Sequence, residues 1–211
     1  MQKKRLFGQL AVAALLTTSI IFSIPSGSGE PDHGSQRKGP SLAPVSAFAG
    51  ITSSKERSVA LFKEVAKAAK HPRCLNCHTL TDRPFQGDEA RPHLPRVTRG
   101  YGDIGVAGMY CTTCHQPKNY EGVPGHGTWL MAPQSMGWTG MSDQEICEQW
   151  KDPERNGDRS PMDIFHHIEE EHLLGFAWTP PEHLEPAPGS RRELAALVKA
   201  WAETGAYCPT N

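Results

Sequence analysis

Cys74-Leu75-Asn76-Cys77-His78 (CLNCH) is followed 37 residues later by Cys111-Thr112-Thr113-Cys114-His115 (CTTCH), and these two pentapeptides hold four of the six cysteines. Three chemistries use Cys-x-x-Cys. A zinc ribbon takes two pairs as four thiolates around one tetrahedral ion and has no use for the histidine that follows. A thioredoxin-like site uses one pair at a helix start after a strand, so a second copy is superfluous. Covalent haem attachment uses Cys-x-x-Cys-His as its signature. Thiols three residues apart lie on about one helical turn and reach the two vinyl groups along one porphyrin edge. The adjacent histidine then points its imidazole at the iron. The repeated motif therefore predicts two c-type haems (iron). One is bound by Cys74, Cys77 and His78, the other by Cys111, Cys114 and His115, with zinc as the second reading.

The N-terminus carries an address consistent with that chemistry. Residues 1–5 are basic, residues 6–24 are mostly apolar, and Pro25-Ser26-Gly27-Ser28-Gly29 follows. That order is the pattern of an export signal. The apolar run nearly spans a bilayer core of about 30 Å. Residues 1–24 thus read as a signal peptide or a signal anchor, and the protein as periplasmic or otherwise exported. Residues 25–52, rich in Pro, Gly and Ser, read as a linker, and residues 53–211 as the folded domain. From Gly50 onward there are 17 Lys and Arg against 21 Asp and Glu, a net charge of -4. No basic footprint for nucleic acid exists there.

Helix starts are marked by serine caps. Ser53-x-x-Glu56, Ser142-x-x-Glu145 and Ser190-x-x-Glu193 each match the capping-box pattern. The first opens a helix with Val59, Phe62, Ala66 and Ala69 on one side. The second carries Ile146, Cys147 and Trp150. In the third, Leu194, Leu197, Val198 and Trp201 recur at helical spacing before Gly205 stops it. Ser160-Pro161 predicts a fourth helix running to Gly175, with Pro at the favoured first position. No strand pattern competes. The segments 79–110, 116–141 and 175–189 lack any period, and loops of that length need a reason. A large flat cofactor wrapped by them supplies one. The expectation is a mainly α fold, a small c-type cytochrome in which helices and long loops enclose two haems.

At this point the chain resembles the exported dihaem c-type cytochromes, with His78 and His115 as proximal ligands. From Trp129 to Cys208 it resembles the cytochrome subunit associated with molybdenum hydroxylases of the isoquinoline 1-oxidoreductase type. MGWTGMSDQEICEQWKDPERNG (136–157), PAPGS (186–190) and WAETGAYCP (201–209) carry that likeness. The resemblance implies a redox protein partner, a molybdenum hydroxylase.

Cys147 and Cys208 remain. In an oxidising compartment they read as a disulfide clamping the second capped helix to the C-terminal tail, contributing roughly 3–4 kcal/mol; two separate buried thiols are the alternative.

A second protein ligand closes a haem iron for electron transfer, and methionine there gives a higher potential than histidine. Met136, in the loop APQSMGWTG, is the first choice as a distal ligand, with Met131 its competitor. His167, mid-helix beside Ile164 and Ile168, is the choice for the other iron. The five tryptophans are expected to pack around the porphyrins. The acidic run Glu169-Glu170-Glu171 reads as a solvated helix face or a docking patch. The functional expectation is an electron carrier rather than an enzyme. The alternative is a haem peroxidase, a small-oxyanion reductase or a haem sensor, each of which needs one open iron.

Overall fold

The computed structural model describes residues 38–210. The expected export segment 1–24, with its apolar run, and the first part of the expected linker lie outside the described residues. Among the described residues no helix is long and apolar enough to cross a membrane.

The fold is mainly α. In chain order the helices are α1 (Ser54–Ala69), α2 (Pro72–Leu75), α3 (Cys111–Cys114), α4 (Asp143–Lys151), α5 (Pro153–Asn156), α6 (Pro161–Glu170) and α7 (Arg191–Glu203). Each serine cap forms. Ser53, Ser142, Ser160 and Ser190 accept the N–H of Glu56, Glu145, Asp163 and Glu193, which occupies a backbone donor that the first helical turn leaves free. At Ser142 and Ser160 the acidic residue also reaches back to the cap N–H, completing a capping box.

The core lies where α7 packs against both α1 and α6, with α4 across α1. Its centre is aromatic. Phe62 meets Trp201 at 5.1 Å and the edge of Trp150 at 5.6 Å between ring centroids. Phe62, Ala66 and Ala69 of the expected stripe on α1 are buried, and the buried side is wider than that stripe. Val59 is half-exposed, while Ser58 and Leu61 are buried. A polar residue is tolerated there because both its hydrogen-bonding roles are filled. The Ser58 hydroxyl donates to the Trp201 carbonyl (3.3 Å) and accepts from Tyr207 N–H (2.9 Å). Cys147 on α4 and Cys208 in the tail form the expected disulfide, with Cα atoms 5.5 Å apart and a sequence separation of 61.

Three expectations are corrected. The fourth helix ends at Glu170, not at Gly175. Glu171 turns extended and its carboxylate accepts from Leu173 N–H (3.3 Å), starting a 3-10 helix over His172–Ala177. The long loops are also not without strands. They contain three two-stranded antiparallel hairpins, β1 (Phe85–Gln86) with β2 (Arg91–Pro92), β3 (Gly105–Val106) with β4 (Met109–Tyr110), and β5 (Lys118–Tyr120) with β6 (Val123–His126). Strands of two to four residues are too short for alternation to show in sequence, and left-handed Gly108 and Gly122 turn the chain between strands. Finally, residues 38–52 are not a free linker. Pro40 accepts from Gly189 N–H (2.7 Å), Ala43 N–H donates to Glu64 (2.8 Å), and Leu42 is buried. Backbone pairing and one leucine hold a segment that has no periodicity to announce it.

Candidate functional site

The two CxxCH motifs fold alike. In each, one helical turn carries the first cysteine and brings the histidine N–H onto that cysteine's carbonyl. The bonds are His78 to Cys74 and His115 to Cys111, both 3.0 Å. The first motif lies in and beyond α2, which His71 caps by accepting Arg73 N–H (3.2 Å). The second coincides with α3.

Both imidazoles are then fixed in the same way. His78 Nδ1 lies 2.7 Å from the Met136 carbonyl, and His115 Nδ1 lies 2.6 Å from the Pro124 carbonyl. A carbonyl only accepts, so Nδ1 carries the proton in both rings and Nε2 keeps its lone pair. Each ring is also stacked on a tryptophan. His78 lies on Trp138 at 3.6 Å and 9°, and His115 on Trp129 at 4.2 Å and 4°. Burial pushes His78 down to about 4 and lowers His115 as well, so both are neutral donors at neutral pH.

A glycine follows each accepting carbonyl, and both glycines press on the backbone just after their motif. A Cβ at Gly137 would meet the Thr79 carbonyl oxygen at 2.6 Å; one at Gly125 would meet those of Gln116 and Lys118 at 2.2 and 2.3 Å. A side-chain amide holds each clamp, that of buried Gln149 at the first and that of exposed Asn119 at the second. Gln149 Nε2 donates to the Ser135 (2.7 Å) and Gly137 (3.1 Å) carbonyls. Asn119 accepts from Gly125 N–H (2.9 Å) and donates to Thr179 (2.9 Å). Alanine at Gly137 or Gly125 has to move backbone rather than a flexible side-chain end. Each change is expected to cost about 1–3 kcal/mol and to loosen one histidine. Thermal unfolding of the purified protein measures the first effect, and its absorption spectrum the second.

Arg99 braces the first site from within. Its buried guanidinium donates to the carbonyls of Thr79 (3.2 Å), Thr81 (3.1 Å) and Ala132, and pairs with Asp103 at 3.3 Å. Sequence reading missed Arg99, Gln149, Asn119 and both glycines. Only the dipeptides Met136-Gly137 and Pro124-Gly125 could have signalled the clamps, and Gly is too common in this chain to single them out.

The thiols of both motifs are free. Burial raises Cys74 to about 12 and Cys77 to about 11, the reverse of the activated thiolate that a redox-exchange pair needs. Nor do the pairs assemble a zinc centre. Among the described residues the one group of potential ligand atoms gathered closely enough for an ion is His166, Glu169 and Glu170, all exposed. Cys77 and Cys111 are nevertheless close enough for the charge of one to raise the pKa of the other, so the two turns are neighbours.

The expected distal ligands fall differently. His167, on α6, is exposed and close enough to His78 to depress its pKa. Met136 lies behind His78, because its own carbonyl receives that ring's Nδ1–H. The Met136 side chain packs against the helical core. Met131 is buried, with its N–H on the Asp103 carbonyl (2.8 Å). The tryptophans divide by role. Trp138 and Trp129 face the motif histidines, Trp150 and Trp201 fill the helical core, and Trp178 donates to the Pro188 carbonyl (3.2 Å). In the acidic run, Glu169 and Glu170 lie beside His166 (4.0 and 3.6 Å), whereas Glu171 caps the 3-10 helix.

No family model, curated protein or solved structure matches this chain.

Proposed function

We propose that this protein is an exported electron carrier that holds two c-type haems, one on Cys74, Cys77 and His78 and one on Cys111, Cys114 and His115. The observation that carries the reading is the duplicated turn, in which each CxxCH histidine has Nδ1 tied to a carbonyl and Nε2 left as a donor. The donor set fits the group: two uncommitted thiols on one turn and a neutral imidazole beside them, twice. Bound haem supplies a one-electron iron couple whose potential the protein sets through axial ligands and burial.

The chain's own residues supply rigidity. The carbonyl clamps fix tautomer and ring direction, as the outer partners of metal-binding histidines commonly do. Trp138 joins His78 to the core, since it also meets Trp150 at 5.6 Å. Trp129 joins His115 to Phe176 at 4.7 Å. The charge interaction between Cys77 and Cys111 supports a reading in which the two centres are near each other. The second centre is the outward one. Cys114 is exposed, and so are Tyr110 and Tyr120 on the hairpin strands beside the motif in sequence.

We assign His167 to the far side of the iron at His78, and Met136 to positioning His78 through its carbonyl. The partner is a redox protein, and the family resemblance makes a molybdenum hydroxylase the donor, with a respiratory acceptor beyond. Transfer takes place in the periplasm, whether residues 1–24 are removed or kept as an anchor.

Mass measurement of the mature protein tests the proposal. It should show about two haems per chain that acid acetone does not extract. A colourless protein, or one that loses its pigment to that solvent, overturns it. A haem that takes up carbon monoxide as purified points instead to an enzyme or sensor with an open iron.

A further inference from the structure

The geometry points to His93 as the second axial ligand of the iron held by His115, a role that rests on the two-haem reading above. The His93 and His115 ring centroids are 6.0 Å apart. Two metal–imidazole bonds of about 2 Å each, plus roughly 1 Å from each Nε2 to its ring centre, place the rings of a bis-histidine centre about 6 Å apart. In His93, as in His115, a carbonyl occupies Nδ1, here that of Pro95 at 3.0 Å, and Nε2 is the nitrogen left over.

His93 is held as a ligand needs to be. It follows β2, and its N–H donates to the Pro84 carbonyl (3.0 Å). Its carbonyl accepts two bonds from Arg83, Nε at 3.2 Å and Nη2 at 2.6 Å. The next residue, Leu94, donates its N–H to Gln86 Oε1 (2.7 Å). Leu94 itself is largely exposed, so burial of the neighbouring chain does not account for this anchoring.

The hairpin that carries His93 is fastened to the other motif. Asn76, inside CLNCH, accepts Phe85 N–H (2.9 Å) and donates to the Gly87 carbonyl (2.9 Å). Arg73 donates to the same carbonyl (3.0 Å) and pairs with Asp88. The first attachment turn thus supports the arm that reaches the second, and the 79–110 segment has a task that explains its length. His126 and His172, with centroids 6.2 Å apart, do not compete. Neither belongs to a CxxCH motif, and the His126 ring hydrogen-bonds to the backbone of His172.

The test compares His93→Ala and His93→Met with the wild-type holoprotein, counting haems per chain in every sample. In His93→Ala about two haems remain, one turns from low to high spin, and carbon monoxide uptake rises from none to about one equivalent per chain. In His93→Met that iron stays low-spin and one of the two midpoint potentials rises. Two unchanged low-spin haems in His93→Ala overturn the assignment while leaving the two-haem reading intact. Wild-type protein without haem overturns both. Should neither variant accumulate, the near-infrared band of the oxidised wild type decides, since its position separates His–His from His–Met ligation. Absence of any His–His centre there overturns the assignment.

Discussion

Replacing Cys111 and Cys114 together with serine is expected to leave a folded protein with about one covalently bound haem where the proposal gives the wild type two. The second site lies among two-stranded hairpins whose tyrosines face solvent, and its link inward is Trp129 against Phe176. The helical core of α1, α4, α6 and α7 closes without it. The reverse pair of substitutions, at Cys74 and Cys77, acts on a site continuous with that core. His78 lies on Trp138, Trp138 meets Trp150, and Trp150 meets Phe62 and Trp201. The Cys74 and Cys77 variant is therefore expected to lose its haem and also to unfold at lower temperature than the Cys111 and Cys114 variant. Haem content and thermal melting of the two exported variants check both statements. Equal melting temperatures would refute the asymmetry, and two haems in either variant would refute the attachment sites.

Trp201→Ala has the largest expected effect on stability, about 3–5 kcal/mol. The indole is fully buried, packs on Phe62 and Trp150, and donates Nε1–H to the Tyr207 carbonyl at 3.1 Å. That last bond holds the tail just before Cys208, so the substitution opens a cavity and frees one arm of the disulfide. For a chain of this size the corresponding fall in melting temperature is on the order of 10 °C. Trp178→Ala is the contrast. Trp178 is half-buried, and its loss removes one carbonyl bond near the surface. Denaturant titration of both variants, disulfide intact, separates them. A loss under about 1 kcal/mol for Trp201→Ala would contradict the place of this residue at the centre of the core.

The difference between what could be read early and what could not follows the range of the forces involved. Ser142 and Glu145 are three residues apart, and their capping box needs nothing else, so the start of α4 was legible. So was the inward face of α7, because Leu194, Leu197, Val198 and Trp201 are periodic whatever they meet. Periodicity failed where burial was decided by a distant partner. Ser58 is buried because Trp201 and Tyr207, more than 140 residues away, satisfy its hydroxyl. Residues 38–52 gave no signal because their attachment to Gly189 and Glu64 is made by backbone atoms, which every residue has.

The candidate site divides in the same manner. Cys-x-x-Cys-His places three donors on one turn by local geometry alone, so the sequence by itself determined both CxxCH turns, the two capped helices around Cys147 and Trp201, and the mainly α class. Tertiary structure alone decided what stands behind and across from each histidine. Met136 presents its carbonyl to the His78 ring, while His93, one histidine among ten, is brought to His115 by a hairpin anchored 15 to 20 residues upstream. A sulfur or an imidazole has the same chemistry wherever it lies in the chain. Whether it meets a given partner depends on the path of the backbone between them, and that path is set by long-range packing rather than by neighbours in sequence.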